Sequence, residues 1–161
     1  MSIRGQIASI TNTDNSRSGG GAKTLTHAGT TAKSGFKFTM GSVAKSVVSI
    51  TKSATCTATT AYVLDSTKAV LATSGAFAAD VATFATPYVL SANVEYYFAV
   101  DAGGAGYTDT YVNTAEPFDS VDFSITTGLA NNGADEAGRT YDIESAAIRT
   151  KSPAAIPIGY L

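Results

Sequence analysis

The chain has 161 residues and a mass of 16.4 kDa, a length typical of a single domain with its own hydrophobic core. Only 15% of the residues are charged and the net charge is -2, so we expect neither nucleic acid nor an anionic membrane as a partner. The single cysteine excludes an intrachain disulfide and a multi-cysteine metal site, and we expect no cofactor.

The start of the chain and its polar composition favour a particular location. Met1–Ile7 lacks the apolar core of a secretory signal, and no apolar run reaches the roughly 20 residues that span a bilayer. The polar residues are mainly Thr, Ser, Asn and Gly, as in many β-rich proteins outside cells or inside large assemblies. A virion protein, made in a host cytoplasm without a signal peptide, fits both observations.

Residues 1–34 predict a short strand followed by a polar arm. Ile7–Thr11 is compatible with a strand. Asn12–Lys23 is polar and Gly-rich, with too few apolar groups to pack, and predicts a loop. We therefore place the first boundary of a β domain at residue 35 and its end at residue 150.

Alternation of apolar and polar residues begins at Gly35 and predicts a series of strands. Residues 36–40 form a half-buried strand, and Val43–Thr51 and Cys56–Leu64 are extended. The short polar loop Asp65–Lys68 then predicts a hairpin with the apolar run that follows it. The inward-facing residues of the first strand are Phe36, Phe38 and Met40.

Residues 76–86 fit two structures. Phe77, Val81 and Phe84 have the i, i+4, i+7 spacing of a helix, whereas the alternation around Val81 also fits a strand. Gly75 and Pro87 leave only about eleven residues between them, which is short for a helix. We predict a strand.

The most strongly patterned stretch is 93–111. Val94, Tyr96, Phe98 and Val100 share one parity and predict the buried face of a strand, with Glu95, Tyr97 and Ala99 on the other face. The Gly-rich stretch 103–106 then predicts a turn. Because Tyr107–Val112 is again extended, we predict a hairpin.

Two more strands complete the predicted domain. Val121, Phe123 and Ile125 alternate with polar residues, and Tyr141, Ile143 and Ile148 mark a closing strand after a polar loop over 129–139. Many short strands with frequent turn signals predict an all-β fold, an antiparallel, jelly-roll-like β-sandwich with extended terminal segments.

Catalytic and metal-binding candidates are weak. His27 and Cys56 have no recognisable partners, so we expect no enzyme. Gly103–Gly106 and Gly41–Ser46 lack the spacing of phosphate-binding loops. One loop carries carboxylate and amide side chains that are weak candidates for calcium ligands, although they lack EF-hand spacing. The alternative is an ordinary polar loop, in which such residues are common. These candidates are Asn131, Asn132, Asp135 and Glu136.

Aromatic and acidic residues near the central strand suggest sugar binding, since a tyrosine ring can stack on a sugar while carboxylates bind its hydroxyl groups. The candidates for this glycan-facing set are Tyr97, Tyr107, Tyr111, Asp101 and Asp109. For Tyr97 the alternative is a place in an interface or in a second core layer.

The C-terminal segment, residues 151–161, is apolar but contains two prolines, which exclude a central strand. Such a segment has little reason to lie in water, so it packs on its own domain or reaches a neighbouring subunit. We expect Ile156, Ile158, Tyr160 and Leu161 to make assembly contacts.

The succession of strands resembles the β-sandwich domains of phage virion proteins, with jelly-roll or lectin-like folds, found in tail fibres and capsid-attached proteins. The matching segments are Gly35–Phe38, Val47–Lys52, Ala58–Asp65, Val70–Thr73, Ala82–Phe84, Leu90, Tyr96–Asp101, Val121–Phe123 and Tyr141–Ser145. The resemblance implies a structural protein, either a capsid decoration or minor head protein bound through its terminal segments. Its expected partners are other virion proteins and copies of itself. The alternative is a carbohydrate-binding module that recognises a host surface glycan.

Overall fold

The computed structural model describes residues 12–16, 23–28, 32–101, 105–113, 116–130 and 132–150, with side chains for 32–101, 110–113, 116–130 and 132–149. The described residues form strands, turns and loops and contain no helix. The strands are β1 (Asn12–Ser16), β2 (Lys23–Ala28), β3 (Lys33–Met40), β4 (Lys45–Lys52), β5 (Thr60–Asp65), β6 (Val70–Ala76), β7 (Val81–Leu90), β8 (Glu95–Asp101), β9 (Ala105–Asn113), β10 (Phe118–Asp119), β11 (Phe123–Leu129), β12 (Asp135–Glu136), β13 (Arg139–Tyr141) and β14 (Ile143–Thr150).

Antiparallel pairing joins these strands into three sheets. A seven-stranded sheet has the order β10-β11-β3-β8-β5-β6, with β12 attached to β11. A four-stranded sheet has the order β1-β14-β4-β7, and a three-stranded sheet the order β13-β9-β2. The two larger sheets share one hydrophobic core, so the predicted antiparallel β-sandwich is confirmed.

Aromatic rings from the seven-stranded sheet fill the centre of this core. The ring centroid of Phe38 lies 4.3 Å from that of Phe98 and 4.7 Å from that of Phe123. Phe36 meets Phe98 edge-on at 5.9 Å, a favourable arrangement for aromatic pairs. The four-stranded sheet covers these rings with Val47, Ile50, Ala82, Phe84, Leu90, Ile143, Ala146 and Ile148.

Several strand predictions are confirmed. In β3 the predicted inward residues are buried, whereas Lys37 and Thr39 are partly exposed. Of the ambiguous stretch 76–86, residues 81–86 lie in β7 and Ala76 ends β6, whereas 77–80 connect the two, so the strand prediction is confirmed in part. The hairpin after Cys56 exists as β5 and β6, in which Tyr62 pairs with Thr73. Alternation therefore locates strands well where one face is buried.

The prediction that β8 and β9, on either side of the Gly-rich stretch, form a hairpin is wrong. Strand β8 pairs with β3 on one edge and β5 on the other, so neither edge is left for β9. Strand β9 lies in the three-stranded sheet, between β13 and β2. A turn signal between two strands shows that the chain bends there, but it does not show which strands pair.

The predicted buried face extends one position too far at two places. Val94 is 40% exposed and Val121 is 73% exposed, although the alternation places both with buried residues. Val94 precedes β8 and Val121 precedes β11, so each lies in a turn rather than in the ladder. Within these strands the predicted inward residues Phe98 and Phe123 are buried, but in β8 Tyr97 and Ala99 on the other face are buried as well.

Polar segments also form strands that composition does not predict. The loop predicted over Asn12–Lys23 is partly wrong, because β1 pairs with β14 from Asn12↔Arg149 to Ser16↔Ser145. Strand β12 likewise lies within the polar loop predicted over 129–139. Edge strands are held by backbone hydrogen bonds, which need no apolar side chains. The strand predicted over Ile7–Thr11 and the segment 151–161 lie outside the described residues.

Candidate interaction surfaces

The outer face of the seven-stranded sheet carries a second, smaller apolar layer. Leu64, Tyr97, Ala99 and Leu129 are buried there, and Tyr62 packs against them. Tyr97 is 1% exposed, so its ring offers no open face to a sugar. The alternative prediction for Tyr97, a second core layer, is the one that the structure confirms.

The Tyr97 hydroxyl is held by the loop that follows β11. It lies 3.0 Å from each carboxylate oxygen of Asp135 and donates a hydrogen bond to that group. Lys68 Nζ lies 2.8 Å from Asp135 Oδ1 and donates to the Gly133 carbonyl at 2.7 Å. A lysine from the β5–β6 turn therefore holds Gly133 and Asp135 in place beside Tyr97.

These contacts shift the proton affinities of both partners. Burial, followed by the hydrogen bond to Asp135, raises the pKa of Tyr97 above its ordinary value of 10.0. Burial tends to raise the pKa of Asp135, but hydrogen bonds from Lys68 and Tyr97 outweigh it and hold that pKa below 3.8. The ammonium groups of Lys68 and Lys37 lie 5.5 and 5.9 Å from the centroid of the Tyr97 ring. At neutral pH Tyr97 is therefore a neutral phenol and Asp135 a charged carboxylate.

A second tyrosine network lies beside the first. Glu136 accepts a hydrogen bond from Arg139 at 2.7 Å and another from the Tyr141 hydroxyl. Burial and the hydrogen bond to Glu136 raise the pKa of Tyr141 to about 12. The Arg139 guanidinium lies 4.7 Å over the ring of Tyr111, whose centroid is 6.0 Å from that of Tyr141. A cation therefore lies over one tyrosine of this second network as well.

The calcium candidates use their oxygens elsewhere. Asp135 faces Tyr97 and Lys68, Glu136 faces the arginine–tyrosine pair beside it, and Asn132 Oδ1 accepts the Ala134 N–H at 2.9 Å. Within the described part of the chain, no three His, Cys, Asp or Glu side chains lie close enough to share a metal ion. Asn131 lies outside the described residues.

The glycan-facing candidates are placed in different sheets. Asp101, in β8, accepts hydrogen bonds from the backbone N–H of Thr59 and Thr60 at 2.9 and 2.6 Å and from the Thr59 hydroxyl at 2.6 Å. It therefore orders the segment before β5. Tyr111 lies in β9 beneath a guanidinium. The side chains of Tyr107 and Asp109 are outside the described set.

The remaining sequence candidates have structural positions. Cys56 is 2% exposed in the main core, where a thiol behaves as a small apolar group. His27 belongs to β2, and its side chain is not among those described. Gly41–Ser46 comprises the turn 41–44 after β3 and the first two residues of β4, so a strand rather than a helix follows the turn.

Sequence reasoning missed Asp142, which joins the sheets. It is fully buried, and its Oδ1 accepts the Thr110 N–H at 2.7 Å while its Oδ2 accepts the Ser34 hydroxyl. Its own carbonyl accepts the Ser53 N–H at 2.7 Å. Its φ of 54° is a left-handed value that Asp tolerates better than most residues. The available signal was an acidic residue inside the apolar run Tyr141–Ile143.

One end of the sandwich exposes valines on three turns, and we call it the valine end. It consists of residues 41–44, 91–94 and 120–122, which carry Val43, Val94 and Val121. These valines are 55%, 40% and 73% exposed. Exposed apolar residues are ordinary when scattered, but a group at one end is typical of a contact surface.

Backbone hydrogen bonds fix the three turns against one another. The Gly41 N–H donates to the Asp122 carbonyl at 3.0 Å, and the Asn93 N–H donates to the Gly41 carbonyl at 3.1 Å. Two adjoining depressions of about 280 and 180 Å³ lie beside the turns 41–44 and 120–122 and share Gly41, Val121 and Asp122. An ion pair of Lys45 with Asp122 lies at the second depression, which Val43 also lines. Asp119 and Ser120 also line the first depression, so the exposed valines lie beside polar and acidic groups.

Comparisons with known proteins identify no family. Neither the protein-family models nor the curated proteins give a match to this chain. Among the described residues, no helix is long and apolar enough to cross a membrane.

Proposed function

We propose that this chain is a non-enzymatic structural protein of a phage virion, a capsid-decorating or minor head protein bound to the particle through its terminal segments. Its partners are other virion proteins and copies of itself. The resemblance of its strand succession to phage β-sandwich domains supports this proposal.

The observation that carries the proposal is the way the N-terminal segment pairs. Strand β1 adds to the edge of the four-stranded sheet beside β14, and β2 adds to the edge of the three-stranded sheet beside β9. Terminal strands that add to sheet edges can pair with the same edges of a neighbouring copy, because the ladder is made by backbone groups. Such exchange is a simple means of fixing a small subunit within an assembly.

Labelling of particles tests the location. Antibodies against the purified chain should bind intact particles released from the cells that produce it, as seen by immunogold electron microscopy. Mass spectrometry of the same purified particles should recover its peptides. Label confined to the soluble lysate contradicts the proposal.

Two adjacent proline variants test attachment through β1. In an antiparallel edge strand the N–H of one residue points to the partner strand and that of the next points to solvent. Of Thr13→Pro and Asp14→Pro, one therefore removes a ladder hydrogen bond and the other serves as its control. We expect one variant to lose its place on purified particles while the other keeps it. Equal retention of both variants contradicts attachment through β1.

The carbohydrate-binding alternative gains no specific support from the described residues. Tyr97 is buried, and Asp101 is already bonded to Thr59 and Thr60. A glycan array probed with the full chain distinguishes the two functions, since saturable binding to one sugar class favours the alternative.

A further inference from the structure

An amine and a carboxyl group meet where the two larger sheets come together at the valine end. Lys45 is the first residue of β4 in the four-stranded sheet, and Asp122 directly precedes β11 in the seven-stranded sheet. The Lys45 ammonium group contacts Asp122 Oδ1. Because the two residues are 77 positions apart, their contact joins distant segments of the chain across the sandwich.

The carboxyl group of this pair is sheltered from water. The side chain of Asp122 is 3% exposed, whereas Asp80 is 41% exposed in its pair with Lys52 and Asp135 is 40% exposed in its pair with Lys68. The side chain of Lys45 is 21% exposed. Exclusion of water from two groups in contact strengthens their interaction and protects a bond between them from hydrolysis.

The backbone on both sides holds the two side chains together. Lys45 pairs with Leu90, which is fully buried, and Asp122 is followed by the buried Phe123. The Gly41 N–H donates to the Asp122 carbonyl at 3.0 Å, and a Cβ at Gly41 would also lie 3.0 Å from that oxygen, so the turn after β3 packs closely on Asp122. Groups that are held in contact in this way react as if each were present at ~10⁵ M or more.

We propose that Lys45 and Asp122 form a site of covalent modification, at which the folded chain joins its two sheets through an isopeptide bond. The Lys45 nitrogen attacks Cγ of Asp122, so that a nitrogen–carbon bond forms and a carbon–oxygen bond breaks. Two hydrogens of the ammonium group leave with one carboxylate oxygen as water, and nothing is oxidised or reduced. The reaction takes place within one chain and does not depend on the proposed function.

The depression beside Asp122 supplies what else the reaction needs. Asp119 lines this depression together with Asp122, so a second carboxyl group can relay protons from the attacking nitrogen to the leaving oxygen. The same depression gives the released water a place to leave. The pair of Lys68 and Asp135 differs, because both side chains are more exposed and the Tyr97 hydroxyl is bonded to the carboxylate. We expect that pair to remain ionic.

The mass of the intact chain tests the proposal directly. The full chain is purified, denatured and measured by electrospray mass spectrometry. We expect it to be lighter than its sequence by the mass of one water molecule, whether or not Met1 is retained. A mass equal to that of the sequence overturns the proposal.

A tryptic digest locates the bond. Trypsin does not cleave after a lysine whose side-chain nitrogen is part of an amide, so residues 38–52 should stay in one piece. This piece should be joined to peptide 69–139, which contains Asp122 and has no internal tryptic site. Fragmentation of the branched peptide should place the link at Lys45 and Asp122. Recovery of peptide 69–139 without a partner overturns the proposal.

Matched arginine variants separate this bond from dehydration at another residue. Lys45→Arg keeps the positive charge beside Asp122, but its guanidinium group does not form the amide. Lys68→Arg is the control, because Lys68 also contacts a carboxylate, that of Asp135. We expect the full sequence mass in Lys45→Arg and the loss of one water in Lys68→Arg. A loss of one water that persists in Lys45→Arg overturns the proposal.

Discussion

The two faces of the seven-stranded sheet are both buried but by different means. The inner face meets another sheet and is filled by phenylalanine rings such as Phe38 and Phe98, 4.3 Å apart. The outer face is covered by a loop and by lysine side chains, and its central ring, Tyr97, bonds to Asp135. The inner face therefore depends on apolar volume, and the outer face on a few polar contacts that keep a loop in place.

This difference decides how each face responds to change. Removal of apolar atoms from a close-packed core leaves a cavity that the surroundings fill only in part. Removal of a polar partner from a partly exposed contact is offset by water. Substitutions on the inner face should therefore lower the free energy of unfolding much more than substitutions on the outer face. This difference should hold even between neighbouring residues of one strand.

Phe98→Ala should have the largest effect. Phe98 is fully buried and contacts three other phenylalanine rings, so we expect the free energy of unfolding to fall by about 3–5 kcal/mol. Urea denaturation of the variant and of the unaltered chain measures the difference. A loss below about 1 kcal/mol would mean that this face is not the main core.

The inner face was predictable from sequence and the outer one was not. Alternation over Phe36–Met40 and within 96–100 identifies the residues that face the core, because a strand alternates strictly. The same rule places Tyr97 on the outward face and leaves open whether it meets solvent or a second core layer, since it cannot report which distant segment returns to this face. Asp135 lies 38 residues away from Tyr97, and no local pattern links them.

Long-range pairing escaped prediction for a similar reason. The Gly-rich stretch after Asp101 suggested a hairpin, yet β8 already has neighbours on both edges. Buried Asp142 was also missed, because its partners Ser34 and Thr110 come from other strands. Sequence periodicity specifies faces, whereas partners across the fold depend on contacts between distant segments.

Gly35→Ala should have the next largest effect, and it tests how closely the backbones of β3 and β8 approach each other. A Cβ at Gly35 would lie 2.0 Å from the Phe98 carbonyl oxygen in the adjacent strand, so the backbone must move. We expect a loss of about 1–3 kcal/mol in the free energy of unfolding.

Gly75→Ala is the matched control for this change. A Cβ at Gly75 would meet only the Thr83 carbonyl oxygen at 3.7 Å, an ordinary contact. The same denaturation experiment should give a change within about 0.5 kcal/mol or a slight gain. Equal losses for the two variants would show that β3 and β8 do not approach as closely as described.

Tyr97→Phe isolates the hydrogen bond of the outer face from its apolar contact. The ring remains while its bond to Asp135 is lost, so we expect about 0.5–1.5 kcal/mol of destabilisation at neutral pH. The decisive measurement is how the free energy of unfolding changes with pH in the alkaline range. Because the folded pKa of Tyr97 is raised, the unfolded chain loses this proton first, and stability falls as pH rises above the ordinary value of 10.0.

The variant should show a shallower alkaline loss than the unaltered chain. Tyr141 contributes to the same limb, since its pKa of about 12 is also raised, so some loss remains in Tyr97→Phe. Absorbance titration of the phenolate groups together with denaturation at each pH measures both. An identical alkaline limb in the two proteins would show that the Tyr97 hydroxyl is solvated rather than bonded.

Lys68→Gln should have the smallest effect at neutral pH and a specific effect in acid. Its contact with Asp135 joins two partly exposed side chains, so we expect the free energy of unfolding to fall by less than about 1 kcal/mol at pH 7.

The hydrogen bond from Lys68 helps to hold the pKa of Asp135 below 3.8. A lowered carboxyl pKa gives stability that is present above its ordinary value and is lost as pH falls through the folded value. The variant should therefore lose less stability than the unaltered chain below about pH 4, and NMR titration of the Asp135 carboxyl should show a higher pKa. Lys37→Gln is the control for charge alone, because Lys37 pairs with Glu95 at 3.6 Å and lowers the pKa of Asp135 through its charge rather than through a hydrogen bond, so its removal should raise that pKa less. If both variants shift the Asp135 pKa equally, the loop is held by the general positive charge of this face rather than by Lys68.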